Sequence, residues 1–201
     1  MSAALAIIRV IDGLNRRLGI IAIYLVLFSA LVSAFNAAFR YSTGALMWLE
    51  RHVGGGVFGW MIDVYRQNSN VLSESQWYMF AGMVMLGGAW TLKVNEHVRV
   101  DLVYGSVSER TRTWIDLLGG LFFLLPMCLM MVYFTWPWFV DAWVTNEGSN
   151  NAGGLMRWPV KLVIPVGFGL MALQGISEII KCVLALTTSY VREFAYEKPL
   201  Q

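Results

Sequence analysis

Long apolar runs alternate with short polar joints along this chain. Residues 18–39 form 22 positions without a charge. Residues 77–92 are again uncharged and end at Lys93, whose long stem can carry its ammonium to an interface. Residues 114–140 hold one charge, Asp116, near their start, and 162–177 hold none, with Lys161 before them and Glu178 after. With its flanks, each run approaches the ~20 residues a helix needs to cross the hydrocarbon core. The runs are continuous rather than strictly alternating, which favours helices over a closed barrel. The pattern predicts an all-α membrane protein with four transmembrane helices, over 18–39, 75–94, 114–140 and 160–182, in one membrane domain covering 1–201.

Local signals refine this outline. In 2–17, Arg9, Asp12, Asn15 and Arg16 recur at helical spacing while Leu5, Ile7, Ile8, Ile11 and Leu14 fill the other faces, which predicts an amphipathic helix on the membrane surface. A cleaved leader is the competing reading. The 22-residue apolar run after it exceeds a leader's usual ~7–15 and no A-x-A site closes it, so the segment is expected to be retained. Ser106-Val107-Ser108-Glu109 fits a capping box and predicts the start of the helix that becomes the third span. Pro126 and Pro137 are expected to bend that span, and Pro165 sits near the start of the fourth. Residues 42–69 lie between the first two spans, with a short helix expected over 45–53 and Gly54-Gly55-Gly56 as a joint.

Composition excludes whole classes. Hydrophobic residues make up 57% and charged ones 14%, and mean hydropathy is +0.57, too apolar for a chain of 201 residues to hide inside a water-facing shell. A soluble enzyme, a disordered chain and a nucleic-acid binder are set aside. The distribution of charge says more than its total of +2. Ten Lys and Arg residues flank the N-terminal, second-to-third and C-terminal segments, against five on the opposite side, so both termini are expected in the cytoplasm. Trp48, Trp60, Trp77, Trp136, Trp138, Trp143 and Trp158 fall at or beyond the other boundary, where indoles anchor helices.

Candidates for chemistry are few. Cys128 and Cys182 sit in apolar stretches and read as small hydrophobes. His52 and His97 lie at opposite boundaries and cannot share a haem. No catalytic or phosphate-binding motif is present, and no cofactor or metal is expected. Lys93, Asp116, Asp141 and Glu178 cluster at span ends rather than at a midplane, unlike the polar site of a self-sufficient transporter. Glu178 and Lys181 are spaced to pair. Ala30, Ala34 and Ala38, with Ser29, Ser33 and Ala37 beside them, form a small face that admits a neighbouring helix. Glu96, His97, Arg99 and Asp101 form the densest polar element. Their pattern suits either a solvated loop or a recognition surface for another membrane subunit.

Lys93-Val94-Asn95-Glu96-His97-Val98-Arg99-Val100-Asp101 resembles the K-x-x-E-H-[IV]-R-V-D motif of the small permease subunits of TRAP transporters, the DctQ-type proteins. Gln76-Trp77-Tyr78-Met79-Phe80 resembles that family's entry to its second span, and Trp114-Ile115-Asp116-Leu117-Leu118-Gly119 the entry to its third. The turn from Asn150-Asn151-Ala152-Gly153-Gly154 through Arg157-Trp158-Pro159 to Ile164-Pro165 resembles the entry to its fourth, and Gln174-Gly175-Ile176-Ser177-Glu178 completes the likeness. Residues 42–69 look like an insertion beyond the family pattern. The resemblance implies a non-catalytic subunit in the bacterial inner membrane. It braces a large permease subunit that holds substrate and sodium sites, and a periplasmic binding protein delivers the substrate. Within the family, the turn and the Glu96–Asp101 segment most resemble the branch associated with 2-oxo acids and other organic carboxylates. Glu96, His97, Arg99, Asp101, Ala30, Ala34 and Ala38 are then expected to face the large subunit, and Glu147, Asn150 and Arg157 the binding protein. Membrane lipids complete the surroundings. A membrane anchor of a redox complex and a free-standing small transporter are the other readings.

Overall fold

Helix α1 runs unbroken from Ser2 to Val53, 52 residues or about 78 Å. No proline interrupts it, and Gly13, Gly19 and Gly44 are isolated. The computed structural model describes residues 2–96, 104–188 and 190–191. The segment 2–17 is helical as expected, but it is continuous with the span after it, because Arg16-Arg17-Leu18 supplies neither cap nor breaker. Its buried positions, Ile8 and Asn15, continue inward to Gly19 and Ala22, so one face of the rod is packed along its inner third.

The same continuity holds at the other end. Residues 42–53 extend α1, and the chain then reverses at Gly54, Gly55 and Gly56, whose φ values of 70°, 93° and 74° lie where a side chain is strained. Helix α2, Val57–Val94, returns alongside. Its first turn has no capping side chain of its own, and Glu50 of α1 supplies one, accepting from the N–H groups of Gly56 and Gly59 at 3.1 Å each. Residues 42–69 therefore form the tip of a helical hairpin. Both arms outrun a hydrocarbon core of ~30 Å. A polar seam joins them: Ser33 donates to Gln76 at 2.9 Å, Asn36 to Ser73 at 3.4 Å, and the Tyr65 hydroxyl to Asn36 Oδ1 at 2.7 Å. Helix α2 ends at Asn95, left-handed at φ 60°, whose N–H returns to Leu92 O.

The third rod comprises α3 (Glu109–Gly119), a π-helical turn (Gly120–Leu124) and α4 (Leu125–Val144). Its cap is Ser108, whose side chain accepts from Thr111 N, rather than the Ser106 of the expected capping box. The wide turn closes with Leu125 N–H on Gly120 O, directly before Pro126. Proline has no N–H and its ring crowds the preceding turn, so the ladder is loosened there at little further cost. Helix α4 continues through Pro137.

Helix α5, Trp158–Thr187, is the centre of the bundle. It packs against α1, α2 and the third rod, while α1 lies along α2. It also carries the largest share of the buried residues. Phe168 and Ala172 of α5 meet Cys128 of α4 in the main apolar cluster, with Met85, Leu124 and Ile164 around them. At Gly167 an added Cβ would lie 2.6 Å from Met85 Cβ, which fixes how closely α2 and α5 approach. Helix α1, the rod Glu109–Val144 and α5 are each long and apolar enough to cross a membrane. Helix α2 is the fourth, long enough at 38 residues but less apolar over its length. Large apolar side chains point outward along the rods, among them Ile23, Phe28, Phe123 and Phe134, each more than half exposed. An unassisted soluble chain would bury them. The molecule is a bundle of membrane-crossing helices.

Candidate functional site

Two polar clusters stand at opposite ends of the bundle. The one at the end where α1 begins, the inner end in the orientation expected from the basic residues, gathers side chains from three helices. Asp12 of α1 accepts from Ser177 at 2.9 Å and Gln174 at 3.1 Å through Oδ1, and pairs with Lys181 of α5 at 2.9 Å through Oδ2. Lys181 also donates to Glu178 at 2.7 Å, the pair expected from their spacing. Gln174, fully buried, donates to Glu178 at 2.9 Å and accepts from Asn15 at 2.7 Å. Lys93 of α2 closes the group, its ammonium 3.9 Å from Asp12 Oδ2 and 5.0 Å above the Trp90 ring. Charges this far from water persist because each has an opposite partner, and Asp12, Glu178 and Lys181 share hydrogen bonds as well.

The outer cluster serves one carboxylate. Glu74 of α2, only 2% exposed, accepts from Ser149 and from Asn151 at 2.8 Å through Oε1, and from the backbone N–H of Leu155 at 2.6 Å through Oε2. These donors, the Ser149 hydroxyl first and the Leu155 amide next, hold the carboxyl below its ordinary range. Around them Asn70 donates to Ala152 O at 2.9 Å and the Tyr78 hydroxyl to Met156 O at 2.6 Å. The loop between α4 and α5 is thus wound onto the outer flank of α2. Gly153 takes φ 70°, and a Cβ on Gly154 would lie 2.7 Å from Glu74 Oε2, so the glycine pair lets the backbone close on the carboxylate. Lys161 pairs with Glu147 and lies 4.4 Å above the Trp138 ring.

The residues expected from the sequence fall into three groups. Ala30, Ala34 and Ala38 are exposed on the face of α1 turned away from the seam with α2. Glu96 is exposed just past the end of α2, whereas His97, Arg99 and Asp101 lie outside the described residues. Of the outer three, Arg157 donates its backbone N–H to Glu147 O at 2.8 Å and Glu147 pairs with Lys161, so both hold the loop together, while Asn150 is exposed. Sequence reasoning missed Glu74 altogether. It also placed Asp12 on a surface helix rather than in an ion cluster. Nothing local marks Glu74, and the Asn151-Ala152-Gly153-Gly154 run signals only a tight turn. Among the described residues no group of three or more His, Cys, Asp or Glu is placed to hold a metal, and His52 stacks on Trp48 at 4.2 Å.

The ionisable groups of this helical bundle pair with one another at its ends. The family model described as Tripartite ATP-independent periplasmic transporters, DctQ component, matches residues 57–185, and the chain belongs to that family. It is a small subunit of a TRAP transporter. The match begins at the first residue of α2. Searches of curated proteins and of solved structures gave no match.

Proposed function

We propose that this subunit braces the large permease of a sodium-coupled importer of small organic carboxylates, in the branch that takes 2-oxo acids, and carries no substrate itself. The observation behind this reading is the state of its membrane-embedded charges. Asp12, Lys93, Glu178 and Lys181 neutralise one another at one end of the bundle, which is the wiring of a rigid element. Substrate choice then rests with the large subunit and the binding protein, where differential contacts set specificity.

In this arrangement the chain sits in the bacterial inner membrane with all four helices spanning it and both termini in the cytoplasm, following the ten-to-five bias of basic residues. Ala30, Ala34 and Ala38 face the large subunit together with the polar element Glu96, His97, Arg99 and Asp101. Asn150 touches the docked binding protein at the outer end, with Glu147 and Arg157 shaping the loop that presents it. The test is uptake by proteoliposomes with each of the three components omitted in turn. Sodium-dependent uptake of a small carboxylate by the full assembly, and none by this chain alone, is the expected result. Selective transport by this chain alone would refute the bracing role, whereas a non-carboxylate substrate would refute only the substrate class.

A further inference from the structure

A groove of about 1070 Å³ opens between α2 and the third rod, floored by α5 and bordered by α1 at Gly19, Ala22, Ile23 and Val26. It exists because α5 packs against both while α2 and the third rod pack chiefly elsewhere. Gly87, Gly119, Leu124 and Met171 line it, with Trp90 and Lys93 at the end where α2 stops. Two features define what fits it. The first is length. The groove follows α2 from Met83 to Lys93 and α5 from Met171 to Cys182, about 15 Å in each case. That is half of a hydrocarbon core of ~30 Å, the depth of one leaflet.

The second feature is charge. The Lys93 side chain is 12% exposed. Its nearest carboxylate, Asp12, is 3.9 Å away and already committed to Lys181, Ser177 and Gln174, so the contact is too long for a hydrogen bond. Asp116, which accepts the Tyr104 hydroxyl at 2.8 Å, and the Glu178–Lys181 pair also line the groove. Among the described residues the Lys93 ammonium has an ion pair and a ring contact but no hydrogen bond, and it lines a slot one leaflet deep.

We propose that this groove holds one phospholipid of the leaflet at the Lys93 end, its acyl chains along Gly87, Leu124 and Met171 and its phosphate on the Lys93 ammonium. A transmembrane helix of a partner would need a slot running through both leaflets. A basic residue at the end of an inter-helix pocket is how bundles recognise lipid phosphate. The inference requires that the helices lie in a bilayer and is independent of the transport role.

Native mass spectrometry of the purified full chain tests it, with phosphatidylglycerol and, separately, diacylglycerol, which keeps the tails and lacks the phosphate. Phosphatidylglycerol retention is expected to fall about tenfold in Lys93→Gln, the loss of one charged hydrogen bond. Gly119→Phe should exclude the lipid with helical content unchanged, because an added Cβ at Gly119 meets nothing within 4 Å. Diacylglycerol should bind no better to the wild type than phosphatidylglycerol does to Lys93→Gln. Equal retention of phosphatidylglycerol by wild type and both variants would overturn the proposal. In whole membranes, benzoylphenylalanine replacing Ile115, a partly exposed residue of the groove lining, should crosslink to lipid, whereas a crosslink to a polypeptide would overturn it in favour of a partner helix.

Discussion

The two polar clusters differ in what they join. At the inner end, side chains of α1, α2 and α5 meet each other, and four charges share a small number of oxygens. At the outer end one carboxylate, Glu74, meets neutral donors, one of them a backbone amide. The inner cluster locks helix against helix. The outer cluster gives an irregular loop the acceptor its own backbone cannot supply. An ion network is costly to break by halves, because the survivor is left unpaired in a poor solvent for charge. A carboxylate held by neutral donors instead fails one donor at a time, and at low pH by taking up a proton.

The largest effect is expected at the inner cluster. Asp12→Leu leaves Lys93 and Lys181 with Glu178 as the one remaining carboxylate of the cluster and should destabilise the bundle by about 3 kcal/mol, whereas Asp12→Leu with Lys181→Met should recover part of that loss. Unfolding in detergent micelles, followed by helical content, measures both. A double variant less stable than the sum of the singles would remove the distinction between the clusters.

Glu74→Ala comes next, at about 2 kcal/mol, from Asn151, Ser149 and the Leu155 amide losing their acceptor. Its signature is local, with faster amide exchange over 149–157 and little change along α1. The same site sets a pH response. The Glu74 carboxyl is held below its ordinary value in the folded chain. Its contribution is therefore complete above the unfolded-state value near 4.5 and drains away as pH falls through the lower folded value. The protection factors of the loop amides, the unfolded chain's exchange rate over the observed one at the same pH, should fall on acidification in the wild type, and that response should be absent in Glu74→Gln.

The smallest effect belongs to Gly154→Ala, about 1 kcal/mol, since the new methyl would lie 2.5 Å from Ser149 Cβ and the loop must shift to admit it. Amide exchange at Leu155 reads it directly. Unchanged exchange there would mean that the glycine is not what draws the loop onto Glu74.

Some of this was legible in the chain itself. The apolar rods could be read from uncharged runs, because lipid demands contiguous apolar side chains and an internally satisfied backbone. The Glu178–Lys181 pair followed from helical spacing alone. Glu74 sits in an unremarkable Ser73-Glu74-Ser75-Gln76 stretch, and no local rule distinguishes it from a solvated helix residue. The residues 42–69 carried helical patterning only in part. Their assignment as an insertion left open that both arms continue neighbouring helices around three left-handed glycines.

The sequence by itself determined the helical membrane class, the approximate rods, the turn at the glycine triplet and the family likeness, since each depends on neighbours within a few turns of the chain. Only the tertiary structure decided which charges meet. Asp12 and Gln174 are 162 positions apart, and their contact exists because α5 returns through the centre of the bundle. It alone decided that α2 and the third rod leave a groove between them, a matter of which helix faces pack. Pairings at such separations carry no local signature, because any carboxylate suits any ammonium until packing brings one pair within reach.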